Sequence, residues 1–167
     1  MHIHLCIYLY ICTYIIAFVE NLLNISVNLV HNVSTHFTRS MADRISWRHP
    51  LIGIKGARGV GKTTLLLQHL RHSGLPNTQK LYVSLDEMYF TEHSLLEMGE
   101  RFAQQGGQLL ALDEVHKYPS WAREIKNLHD RYADLQIIYT GSSILDMAQQ
   151  EGDLSRRALM YELSGLS

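Results

Sequence analysis

The chain has 167 residues, 46% of them hydrophobic and 19% charged, a globular balance for one domain that excludes a disordered polymer. Lysine and arginine number 15 against 16 aspartate and glutamate, a formal net charge of -1, so bulk charge gives no clear nucleic-acid signal. The only cysteines, Cys6 and Cys12, match no metal or redox spacing, which excludes a disulfide scaffold and suits a reducing compartment such as the cytoplasm.

Residues 1–18 form an apolar leader, with no charged residue from Leu5 to Val19. The run is short for a membrane-spanning helix, which needs about 17 to 20 apolar residues. No basic flank or small-residue cleavage site marks a signal peptide. Three readings stay open: a non-native start, a membrane anchor, or an ordinary buried segment. Asn24-Ile25-Ser26 and Asn32-Val33-Ser34 fit the glycosylation pattern, which matters only in a secreted protein. Residues 19–50 read as an N-terminal helical segment and linker. Apolar residues from Leu22 to Val33 recur loosely at three and four, a helical pattern extends to about residue 46, and Asp43 to Pro50 is a polar connection carrying Trp47. Met41 could serve as an alternative start.

After Pro50 the text becomes regular. Apolar runs at 51–55, 80–85, 108–112, 135–140 and 158–163 alternate with helical patterns at 62–72, 92–104, 119–132 and 143–150. Runs as continuously apolar as "LLAL" and "LQIIY" suit strands buried on both faces. The alternation predicts an α/β fold over 51–167, with a five-stranded, mostly parallel sheet flanked by helices.

The first strand-to-helix junction is Gly56-Ala57-Arg58-Gly59-Val60-Gly61-Lys62-Thr63-Thr64, which satisfies G-x-x-x-x-G-K-[ST] in full. Glycines let the backbone curl so that successive N–H groups face one concavity and bind phosphate oxygens. The following helix adds its positive N-terminal end. Lys62 supplies a point charge for the β- and γ-phosphates, and the Thr63 hydroxyl can complete a Mg²⁺ shell. The bland alternative is a glycine-rich turn that happens to hold a lysine.

A second motif, "LLALDEVHK", ends an apolar strand in Asp113 and Glu114. At the carboxyl end of a parallel strand beside a phosphate loop, Asp113 can hold Mg²⁺ through water, and Glu114 can polarise an attacking water. The next strand ends in Thr140, Gly141, Ser142 and Ser143. A hydroxyl there can sense the γ-phosphate or hold the water, or Ser142 or Ser143 can cap the following helix. Arg156 and Arg157 lie directly before the last strand.

The order GARGVGKTT, YVSLDE, LLALDEVHKYPSW, IIYTGSS and DLSRRALMYELSGLS resembles the AAA+-type P-loop ATPases. It is most similar to the bacterial and archaeal AAA-domain ATP-binding proteins that carry a further C-terminal domain. The likeness runs from about residue 33 to the end. It implies ATP as ligand, Asp113 and Glu114 as the Walker B pair, and Ser142 or Ser143 in the sensor position. It further implies that Arg156 or Arg157 reaches the γ-phosphate of a neighbouring subunit in a homo-oligomer; otherwise the two arginines are a solvated helix-end pair. Measured against the family, the helical lid and the C-terminal domain are absent, so the chain is expected to be a piece of a longer protein, with turnover in this piece in doubt.

His69 and His72 could share a helix face, but no third metal ligand is indicated. His116 reads as a helix-start residue beside the Asp-Glu pair, and Asp86-Glu87 as the start of a loop. The leading functional expectation is an ATP-hydrolysing switch or motor domain. Its rivals are a DExH-type helicase, from "DEVH"; a P-loop kinase, which the glutamate after Asp113 disfavours; and a nucleotide-binding interaction module with little or no turnover.

Overall fold

The computed structural model describes residues 19–37, 40–142, 154 and 156–165. The leader, Ser143 and the expected helix at 143–150 lie outside the described residues. Five strands, β1 (Leu51–Lys55), β2 (Lys80–Ser84), β3 (Leu109–Asp113), β4 (Gln136–Gly141) and β5 (Leu159–Glu162), form one sheet in the order β2-β3-β4-β1-β5. Every pairing is parallel. The α/β architecture therefore agrees with the sequence, and the sheet is wholly parallel among the described strands.

Period-two alternation sorts the strand residues between two layers. Leu51, Leu81, Leu110 and Ile137 face a core shared with α3 (Leu95–Gln104) and α4 (Trp121–Arg131). Ile52, Tyr82, Ala111 and Ile138 face α2 (Lys62–His72) instead. Both faces are thus apolar, which is why the strands read as nearly continuous hydrophobic runs.

Residues 19–32 are helical and are called α1 here. The helical pattern expected to about residue 46 stops at 32, where Val33, Ser34 and Thr35 bring β-branched and hydroxyl side chains that favour a helix end. Arg71 of α2 donates to the carbonyls of His31 and Val33 at 2.8 and 2.9 Å, satisfying acceptors that a helix C-terminus leaves unpaired. The Ser26 hydroxyl, buried on the opposite turn, accepts the Tyr82 backbone N–H at 2.8 Å. β2 is an edge strand, so α1 covers an edge that would otherwise expose unpaired amides. Among the described residues no helix is long and apolar enough to cross a membrane.

Candidate functional site

Parallel pairing puts the carboxyl ends of β1, β3 and β4 at one edge of the sheet, with β4 between the other two. Register then sets the level of each end. Lys55 pairs with Gly141 and Leu112 with Tyr139, so Asp113 stands level with Thr140. By alternation both point to the α2 face.

The 56–64 segment leaves β1 and enters α2 there. Gly61, at the N-cap of α2, has φ 93°, a left-handed conformation that favours glycine. A Cβ at Gly56 would run into the Leu163 carbonyl, so close backbone packing also calls for glycine. Ala57, Arg58 and Gly59 form the exposed crown, while Val60 is buried beneath it. Lys62 is 4% exposed, and its Nζ donates to the carbonyls of Gly56 and Ala57 at 2.8 and 2.9 Å. The first turn of α2 contains no acidic residue, and no side chain caps its amides. By contrast, Ser94 caps α3 by accepting the Glu97 N–H at 3.0 Å.

Asp113 is 2% exposed and accepts four hydrogen bonds. Thr63 Oγ1 donates to Oδ2 at 2.5 Å and Tyr82 Oη donates to the same oxygen at 2.9 Å. Thr140 Oγ1 donates to Oδ1, and the Glu114 N–H reaches Oδ1 at 3.1 Å. Burial first, and the adjacent Asp113 carboxylate second, push the Tyr82 phenol above its ordinary range, so it remains a donor. Tyr82 escaped the sequence reading because it lies 31 positions before Asp113.

Glu114 has φ 53°, left-handed for a residue with a Cβ and costing about 1 kcal/mol or more. The turn leads into a short 3-10 segment, Val115–Lys117. Ser142 Oγ donates to Glu114 Oε2 at 3.1 Å, and His116 Nε2 lies 3.4 Å from that oxygen. His116, which the sequence suggested for a helix start, therefore sits in the cluster. The signal available in the sequence was the "DEVH" spacing, two residues beyond Glu114.

Thr64 is exposed on α2. Arg156 and Arg157 precede β5 and so lie at the amino edge of the parallel sheet, away from the 56–64 segment of the same chain. Arg156 is exposed, whereas Arg157 pairs with Asp130 at 2.9 and 3.2 Å. His69 stacks on Trp47 with ring centroids 3.8 Å apart, and among the described residues no group of three His, Cys, Asp or Glu side chains could hold a metal.

A model of the AAA domain family matches residues 48–167. The chain is 37% identical over 119 residues to the uncharacterized protein MJ1637 of Methanocaldococcus jannaschii, covering 65% of this chain and 24% of that protein. It therefore spans about a quarter of that relative's length. In fold it is similar to the Walker-type ATPase PABY2304 of Pyrococcus abyssi, with TM-score 0.55, 17% identity, and coverage of 78% of this chain and 54% of that one. It is also similar to PCH-2 of C. elegans, with TM-score 0.50, 16% identity, and coverage of 89% and 42%.

Proposed function

The chain belongs to the AAA domain family, and on that premise we propose that it binds ATP with Mg²⁺ and hydrolyses it as a conformational switch or motor. The observation carrying this reading is the 2.5 Å contact from Thr63 to Asp113. It joins the glycine-lysine segment to the acidic end of β3 across 50 positions of sequence. The α2 amides, with no side-chain cap and no acidic residue in their own first turn, favour an anion at the same point.

Residues 56–64 hold the phosphates, with Lys62 moving from its loop carbonyls to the β- and γ-phosphate oxygens. Thr63 and Asp113 offer two hard oxygen donors, a set that suits Mg²⁺, which takes few protein ligands and keeps waters and phosphate oxygens. When bound with ATP, that ion supplies charge neutralisation across the β- and γ-phosphates. Glu114 accepts a proton from water as the water oxygen attacks the γ-phosphorus. The bond to the β–γ bridging oxygen breaks, giving ADP and phosphate. Ser142 touches Glu114, so its hydroxyl can report the γ-phosphate to the base; Ser143 shares the sensor assignment from sequence alone.

Arg156 and Arg157 stand at the opposite sheet edge, so an arginine finger would act on a neighbouring copy in a homo-oligomer. An ATP-driven domain of this kind would work in the cytoplasm, at a membrane if the leader anchors it. Replacing Glu114→Gln tests the assignment, because glutamine keeps the shape and lacks the base. ATP affinity should stay within about twofold while single-turnover hydrolysis falls about a hundredfold or more. Parent-like turnover in the variant would remove Glu114 from the reaction.

A further inference from the structure

The 3-10 turn after β3 is held from both sides. Lys117 N–H donates to the Glu114 carbonyl at 3.0 Å and Tyr118 N–H to the Val115 carbonyl at 3.0 Å. Val115, fully buried, anchors the turn in the core shared with α3 and α4. This fixed turn brings the His116 ring back over the carboxylate two residues earlier. The His116 side chain is 11% exposed against 27% for Glu114, so the imidazole is the more buried of the two.

The hydrogen bonds around the ring also choose its tautomer. Ser142 N–H points at Nδ1 from 3.4 Å, so in the neutral ring Nδ1 accepts and the proton sits on Nε2. Nε2 then faces Ser142 Oγ at 3.2 Å and Glu114 Oε2 at 3.4 Å. Ser142 Oγ itself donates to Oε2 at 3.1 Å. Oε2 thus accepts from a hydroxyl that Nε2–H holds in turn, a relay from His116 through Ser142 to Glu114 that leaves Oε1 for another partner.

We propose that His116 is a positioning residue, whose Nε2–H holds the Ser142 hydroxyl on Glu114 Oε2, clamping the carboxylate so that Oε1 is aimed at the attacking water. This rests on the reading of Glu114 as the base. His116 touches neither nucleotide nor water in this arrangement; it acts through Ser142 on Glu114. Because Ser142 supplies both its N–H and its hydroxyl to the pair, any shift of the β4 end towards a γ-phosphate moves the carboxylate with it. The clamp therefore couples the sensing position to the base.

Two measurements on the full chain test it. Long-range ¹H–¹⁵N spectra of the histidine rings should show the His116 tautomer that carries its proton on Nε2, and its signals should move in Glu114→Gln. A proton on Nδ1, or signals indifferent to that substitution, overturns the clamp. In single-turnover hydrolysis, His116→Phe keeps the ring and removes the donor. It should lower the rate constant about tenfold or more, since small misplacements of a reacting group are costly. ATP affinity should stay within about twofold. His116→Gln restores a donor at the Nε2 position and should recover most of the rate. Parent-like turnover in His116→Phe, or equal loss in both variants, overturns the positioning role. If the parent chain itself does not hydrolyse ATP, the proposed function fails, and the ring spectrum alone upholds or overturns the clamp.

Discussion

Thr140→Val replaces a hydroxyl by a methyl of nearly the same size at a site with no solvent exposure. In the parent, the Thr140 hydroxyl donates to Asp113 Oδ1. A hydrogen bond to a charged group is worth about 1.5 to 3 kcal/mol. Asp113 keeps three other donors, from Thr63, Tyr82 and the Glu114 backbone, so the carboxylate is not orphaned and the loss should sit near the lower end, about 2 kcal/mol. For a chain of this size that lowers the melting midpoint by roughly 4 to 8 °C. The background changes the size of the effect. In Asp113→Ala the Thr140 hydroxyl keeps only the long bond from the Glu114 N–H, at 3.4 Å, so removing it then costs less. Urea unfolding of the parent, both single variants and the double variant gives the coupling directly, expected at about 1 kcal/mol. Equal cost of Thr140→Val in both backgrounds would refute the account of Asp113 as the hub of this cluster.

Ser26→Ala leaves the Tyr82 N–H without its acceptor and should cost about 1 to 3 kcal/mol, with faster hydrogen exchange over residues 19–32; unchanged exchange there would mean α1 is held elsewhere. His69 is lowered to about 4, by burial first and by the neighbouring His72 second. Its folded form therefore resists the proton that the unfolded chain accepts near 6.5. At pH 7 it has no effect; as pH falls from 6.5 towards 4, stability drops by up to about 1.4 kcal/mol per pH unit. His69→Phe keeps the stack on Trp47 and should flatten that part of the unfolding profile; an unaltered slope would assign the proton uptake to other groups.

How legible these features were depended on how local they are. The 56–64 segment is a contiguous pattern whose backbone demands, a left-handed Gly61 and close packing at Gly56, are met by the residue types themselves. The α2 boundaries Lys62–His72 coincide with the periodic stretch because a glycine precedes it and Ser73-Gly74 follows. Strand ends moved by a residue or so, since where a ladder stops depends on its partner. Tyr82 and Thr140 could not be connected to Asp113 from the text, because the link is sheet register and not spacing. His116 was visible but undervalued: a histidine after an acidic pair has no meaning until the turn at Glu114 folds it back. The edge-covering role of α1 was equally hidden, resting on one serine hydroxyl against a strand 56 positions away.

Residues 56–64 are proposed to hold a nucleotide. Calorimetric titration of Mg²⁺-ATP into the full chain and into Lys62→Ala tests it most directly. Removing the ammonium proposed to meet the β- and γ-phosphates should weaken binding at least about tenfold, on the order of 1.4 kcal/mol, with the fold intact by circular dichroism. Equal affinity in the two proteins, or no binding to the parent, would contradict it.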